Sequence, residues 1–319
     1  MRGPSARVLV LSIVFAGAGG LYGTLPARAQ EAARKKADKE SGDRHSPGQG
    51  KLNFWSPERE FDLGRRMSAE VEANTRLFTD PEVTEYVREV TERLARHADI
   101  HFPVVVRIID SSQVDAFTLP GGFLYVTTGM LLETRSEAEL AAVLAHEVGH
   151  VAARHATRQM SKSELMNWAT MPLLFIGGPV AYAARQGLAL AFPLARLKFS
   201  RNDEREADVL GIQYLVLSGY DPVAVVEFFE RVGPKPGRQG SGIARLLSTH
   251  PINSERIVAA QKTMQGIPEL DEYVLSTSRH DQMRSYLERL YGSRRTDKNG
   301  LTLRRKTEGV APPQAGDNQ

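Results

Sequence analysis

Two histidines stand four residues apart in the stretch His146-Glu147-Val148-Gly149-His150, with a glutamate directly after the first. Positions four apart on an α-helix lie one turn above each other, so both imidazoles can point at one metal ion. Glu147 lies beside them, placed to take a proton from a metal-bound water. The competing reading is a pair of histidines on a solvated helix face, and the rest of the chain weighs against it. A catalytic zinc takes three protein ligands and leaves a fourth position for water. The chain has no cysteine, so the third ligand must be a histidine or a carboxylate.

His155 is five residues past His150, a turn of about 140° around a continuous helix, which takes it off the ligand face. It reads as a surface residue. The candidate carboxylates lie on a helix that begins near Ser200, where Glu204 and Asp208 are four apart and share a face while Glu206 points away. One of the pair can bind zinc while the other accepts a hydrogen bond from a ligand imidazole. The spacing does not say which does which, and most such pairs are solvated helix charges.

The elements that must position these residues are legible in the pattern. Ser136 followed by Glu139 is a capping-box start, and Leu140, Val143, Leu144 and Val151 give the histidine helix one apolar face. Val104 to Ile109 is β-branched enough for a strand, and a turn at Pro120-Gly121-Gly122 leads into a second strand over Phe123 to Thr128. An exposed edge of such a sheet lets an extended polypeptide add as one more strand. Ser56-Pro57 and Asp80-Pro81 open two scaffold helices, the second with Val83, Tyr86, Val87, Val90 and Leu94 on one face. Further helices start at Ser200, Asp221-Pro222, Ser254 and Ser278, with a glycine- and proline-rich loop over 233–242. The fold class is α+β, mainly helical, with a small β-sheet.

Composition bounds the rest. A hydrophobic share of 41% and a charged share of 25% allow an ordinary core. Arg2, Arg7 and Arg28 account for the whole net charge of +3, so no nucleic-acid footprint follows. The missing cysteines exclude disulfides, thiolate zinc sites, a cysteine nucleophile and a lipidated cysteine.

Residues 1–29 have the form of a secretory signal peptide: basic Arg2 and Arg7, an apolar stretch from Val8 to Tyr22, and a small-x-small site at Ala27-Arg28-Ala29. An uncleaved anchor is the alternative. Residues 30–52 read as a disordered linker, 53–292 as the folded domain and 293–319 as a disordered polar tail. Within the domain, residues 165–197 form an apolar excursion broken by Pro172, Gly177, Gly178, Pro179 and Arg185. No uninterrupted run of about 18–20 apolar residues is present there. The excursion is read as packed on the domain or as a peripheral contact with a membrane surface.

Four segments then carry a resemblance: Asp115-Ala-Phe-Thr-Leu-Pro-Gly-Gly-Phe-Leu-Tyr-Val-Thr-Thr-Gly129-Met-Leu, His146-Glu-Val-Gly-His150, Ser200-Arg-Asn-Asp-Glu204-Arg-Glu-Ala-Asp208, and Thr249-His-Pro251 followed by Arg256-Ile. In that order they resemble metallopeptidase family forty-eight, of the gluzincin type, over roughly residues 52–292. The family includes the CAAX prenyl proteases and the HtpX- and BepA-like envelope quality-control proteases. The resemblance implies one zinc ion per subunit held by His146, His150 and Glu204, with Glu147 as general base and acid and Asp208 behind the ligands. It also implies a sheet whose edge strand flanks the active-site helix. From BepA-like members it further implies that His250 can fill the open zinc position and hold the enzyme latent, and that Arg256 lies at the active site, where it can serve the oxyanion.

Two features depart from that pattern. Asp115 stands where asparagine is more usual, and neither a helical-repeat array nor a multi-span membrane body follows the motifs, so prenylated substrates are not expected. The resulting expectation is an exported, periplasmic zinc endopeptidase acting on unfolded or misassembled envelope proteins. The alternative is a chaperone-like binding protein that uses the same fold without turnover.

Overall fold

The computed structural model describes residues 52–163, 199–233, 244–265, 267, 272–292, 294–296 and 302–304. The expected signal peptide, nearly all of the linker and the apolar excursion lie outside the described residues. No described helix is long and apolar enough to cross a membrane.

Two capped helices come first. In α1 (Pro57–Asn74) the Ser56 side chain accepts from the Arg59 amide, and in α2 (Pro81–Ala95) Asp80 accepts from the Val83 amide. Each has proline at its first position, where no amide is needed. The three strands that follow are β1 (Val105–Ile109), β2 (Ala116–Leu119) and β3 (Phe123–Thr127). They pair in the order β1-β3-β2, with β1 parallel and β2 antiparallel to β3. The strand leading toward the histidine helix is therefore the central one. The edge strands are β1 and β2, and β2 follows Asp115 directly, in a segment whose four residues are too few to show a strand pattern of their own. Asp115 is buried, its amide donating to Thr127 Oγ1 at 3.2 Å and its carbonyl accepting from the Thr127 amide at 3.0 Å.

Alternation sends the two faces of β3 to different helices. Phe123 and Tyr125 pack with Val71 and Phe61 of α1, whereas Leu124 and Val126 join α2 and the central helix in the larger core.

After the short helix α3 (Thr128–Glu133) comes α4 (Glu137–Ala152), which carries both motif histidines. It is buried on every side, His146 being its one residue outside the buried class. The apolar stripe read from the sequence thus understates its burial. Leu140, Leu144 and Val148 have no exposed surface, and each such side chain contributes about 1.5–3 kcal/mol. Glu137, its first residue, is buried and accepts from the hydroxyls of Tyr86, Tyr220 and Thr277. Ser136 accepts from the Glu139 amide as the capping box requires, but Glu139 turns its carboxylate to the Arg135 amide and to Arg231.

Next to α4 lies α5 (Arg201–Leu217), opened by a complete capping box between Ser200 and Asp203. Glycines let the two backbones approach. A Cβ on Gly149 would stand 2.8 Å from the Ala207 carbonyl oxygen, and one on Gly211 would stand 3.1 Å from the His146 amide nitrogen. This crossing brings the carboxylates of α5 up to the imidazoles of α4. Then follow α6 (Val223–Val232), α7 (Ala244–Thr249), α8 (Ser254–Gln265) and α9 (Ser278–Gly292). In the tail, β4 (Arg294–Thr296) pairs antiparallel with β5 (Thr302–Arg304).

Candidate metal centre

Four side chains from three places in the chain converge where α4 meets α5. His146 Nε2 is 3.0 Å from His150 Nε2 and 3.2 Å from His250 Nδ1. Glu204 reaches the same point, with Oε2 3.4 Å from His146 Nε2, and Oε1 3.5 Å from His150 Nε2 and 3.1 Å from His250 Nδ1. Four ligand atoms held about 2.0–2.1 Å from an ion in a tetrahedron would stand about 3.3–3.4 Å apart. The observed edges bracket that value, and the donor set of three imidazoles and a carboxylate is one that zinc accepts. The residues fit the ion.

Glu147 lies on the flank of this cluster and is 1% exposed. Its Oε2 accepts from Thr118 Oγ1 of edge strand β2 at 3.2 Å, and its Oε1 is 3.5 Å from His250 Nε2. Beside it an apolar recess is lined by Val143, Ile212, Val225, Phe228, Phe229 and Leu246. A cavity of about 650 Å³ between α2 and the segment before β1 shares no residue with the cluster.

The remaining charges fall behind the cluster. Asp208 Oδ1 accepts from His146 Nδ1 at 2.9 Å. Arg256 is buried, donating from Nε and Nη2 to Asp208 at 2.7 and 2.6 Å and from Nη1 to Pro251 O at 3.1 Å, with Nη1 also 2.9 Å from Glu204 Oε2. The guanidinium expected to serve an oxyanion is turned to these two carboxylates.

Electrostatics follow from this layout. Burial opposes the His146 imidazolium, but Asp208 and Glu204 outweigh it and hold its pKa up at about 10. Burial dominates at His150 and pushes its pKa well below the usual histidine value. For Glu204, burial favours the neutral acid, yet the imidazoles of His146, His150 and His250 around it prevail and hold it ionised. Asp208 is likewise held down, Arg256 and His146 prevailing over burial.

His155 corrects the sequence reading. It is fully buried, with Nδ1 2.9 Å from His150 Nδ1 and Nε2 3.2 Å from Glu206 Oε2. A turn of about 140° holds only on an unbroken helix, but α4 ends at Ala152 and Arg154 adopts φ 53°. Arg154 is held there by Glu60 Oε2 at 2.6 Å and the Trp55 carbonyl at 2.7 Å. The chain then re-enters helix over residues 155–163. Glu206 does point away from the cluster, as its spacing requires, and faces His155 and Arg158. Phe199 stacks on the His150 ring with centroids 4.0 Å apart. Neither that contact nor Thr118 on Glu147 left any trace in residue spacing.

Known proteins are similar to this chain in sequence. A beta-barrel assembly-enhancing protease of Escherichia coli (strain K12) is 30% identical over 210 residues, 63% of this chain and 43% of that protein. One from Yersinia pestis is 30% identical over 214 residues, 65% of this chain and 44% of the relative. The mitochondrial metalloendopeptidase OMA1 of Arabidopsis thaliana is 36% identical over 151 residues, 47% of this chain and 30% of its own length. The chain thus spans less than half the length of these relatives. The model of Peptidase family M48 matches residues 81–264, which contain α4, α5, His250 and Arg256. That match covers more than half of the chain, which therefore belongs to Peptidase family M48, a metallopeptidase family.

Proposed function

We propose that this chain is an exported zinc-dependent endopeptidase that hydrolyses peptide bonds in unfolded or misassembled proteins of the bacterial envelope. The observation that carries the reading is the near-tetrahedral set of His146, His150, Glu204 and His250 with Glu147 at its flank. Zinc bound there supplies Lewis acidity and lowers the pKa of a coordinated water toward about 7. His146, His150 and Glu204 hold the ion, and Asp208 orients His146. Glu147, steadied by Thr118, takes the water's proton and delivers it to the leaving amine. Edge strand β2 orders an extended substrate alongside α4 through main-chain hydrogen bonds. Arg256 acts from behind, balancing Glu204 and Asp208. Residues 1–29 direct export to the periplasm.

A second reading has its own support, because the His250 imidazole stands within the ligand set and beside Glu147. In that position it fills the place that water needs, leaving a latent enzyme or a chaperone-like binder.

Casein degradation by the zinc-loaded protein beside its Glu147→Gln variant tests the first reading. Cleavage by the parent alone supports it, and cleavage that survives the substitution in protease-free preparations sinks it. If neither protein cleaves while both hold zinc, His250→Ala decides: activity in that variant means latency, and continued silence means a binder.

A further inference from the structure

His150 differs from His146 in what stands behind it. No carboxylate meets its Nδ1 among the described residues; the neighbour is a second imidazole, His155, at 2.9 Å. On the far side of that ring, Glu206 Oε2 lies 3.2 Å from Nε2 and Asp203 Oδ1 lies 3.7 Å away. A carboxylate only accepts, so the His155 Nε2 atom carries the proton. In a neutral imidazole Nδ1 is then a bare acceptor, and the His150 Nδ1 that faces it must be the donor. That leaves His150 Nε2 as an unprotonated lone pair aimed at His146, Glu204 and His250. Glu206 thus sets the tautomer of one histidine, which sets the tautomer of the next.

His155, Asp203 and Glu206 are close enough together to suggest a second metal site. Arg158 argues against it. Its Nη1 donates to Glu206 Oε2 at 3.2 Å and its Nη2 lies 3.6 Å from Asp203 Oδ1, so a fixed cation already balances both carboxylates.

We propose that His155 is a positioning residue for zinc, a buried imidazole that accepts the His150 Nδ1 proton and thereby presents His150 Nε2 to the ion. The proposal rests on the zinc reading of the cluster. It concerns metal affinity and ligand orientation, with no part in proton transfer to substrate.

The test is zinc affinity by chelator competition on the full chain, for the parent, His155→Asn and His155→Gln, beside the thermal stability of each metal-free form. An asparagine carbonyl can take the place of Nδ1 and still accept from His150, whereas a glutamine amide follows Nε2 toward Glu206 and leaves His150 without an acceptor. Ligand-orienting partners are worth about 10–100-fold in metal affinity. The expected result is a loss of about tenfold or more in His155→Gln and about threefold or less in His155→Asn. Equal losses in the two variants, or none in either, would overturn the proposal. So would uptake of two zinc ions per chain with the second abolished in His155→Asn.

If either variant fails to fold, imidazole 15N spectra of the unaltered zinc-loaded protein decide. The proton must sit on Nδ1 of His150 and on Nε2 of His155, and the opposite tautomer of His155 refutes the proposal. A parent that takes up no zinc refutes the metal reading itself, a failure distinct from a parent that binds zinc with affinity indifferent to residue 155.

Discussion

The two halves of the candidate metal cluster use the same pair of helices but orient their histidines differently. On one side His146 gives its Nδ1 proton directly to Asp208, which is braced by Arg256. On the other, His150 faces His155, and only the ring beyond meets Glu206 and Arg158. Each half ends in a carboxylate of α5 balanced by a buried arginine. The difference is where the negative charge sits. Beside His146 it overcomes burial and raises the proton affinity of the ring; one imidazole further from His150, burial prevails. The metal-free site therefore keeps its proton on the partly accessible His146 and leaves the deeply buried His150 neutral. Orientation and proton affinity are separate properties of a ligand histidine, and the choice of hydrogen-bond partner sets both.

Glu147→Gln is expected to have the largest effect. It leaves both halves of the cluster intact, so zinc affinity should stay within about threefold of the parent. Casein turnover should fall by about 10²–10⁴-fold, the usual worth of a general acid-base group, measured as initial rates at matched zinc loading. Equal loss of zinc and turnover would mean that Glu147 belongs to the ligand set.

Breaking the first half comes next. Asp208→Asn should weaken zinc binding by about 10–100-fold. It also removes one of the two carboxylates that balance buried Arg256, Glu204 remaining, so urea denaturation of the metal-free form should register a loss of about 1.5–3 kcal/mol. Glu206→Gln is the matched change in the other half and should be far milder. A glutamine oxygen still accepts from His155 Nε2, and the lost charge is one ring further from the ion. Zinc affinity within about threefold of the parent is expected there, and a loss equal to that of Asp208→Asn would erase the distinction between the halves.

Gly149→Ala bears on both halves at once. Its Cβ would stand 2.8 Å from the Ala207 carbonyl oxygen, so α4 and α5 must separate slightly, at a cost of about 1–3 kcal/mol. Thermal denaturation with and without zinc checks this. The destabilisation should be larger with zinc present, because the separation also stretches the ligand set.

His250→Ala is the one change expected to raise activity. Removing this imidazole takes nothing from the α4–α5 ligands, so zinc affinity should fall by about tenfold or less while casein turnover rises above the parent. Turnover at or below the parent level under matched zinc loading ends the latency reading.

Local pattern and tertiary structure divided the determination of this protein between them. His146, Glu147 and His150 were legible because helical spacing alone puts both imidazoles on one face, and Glu204 and Asp208 because the same rule pairs them on α5. Capping residues at Ser56, Asp80, Ser136 and Ser200 announced where helices begin, because a cap acts within one turn. Choosing Glu204 as ligand and Asp208 as orienting acid was beyond spacing and came from the family resemblance. His250 lies 46 residues beyond Glu204 and joined the set only through folding.

Some features were decided by tertiary structure alone. Strand β2 exists because β3 offers it a partner, not because four residues carry a strand pattern. The approach of α4 to α5 depends on glycines on both helices meeting backbone, which no one-dimensional period records. His155 is the sharpest case, since extrapolating the helix carries it to the surface. An ion pair between buried Glu60 and half-buried Arg154, 94 residues apart, holds the backbone at a positive φ, and that single reversal turns the imidazole in behind His150.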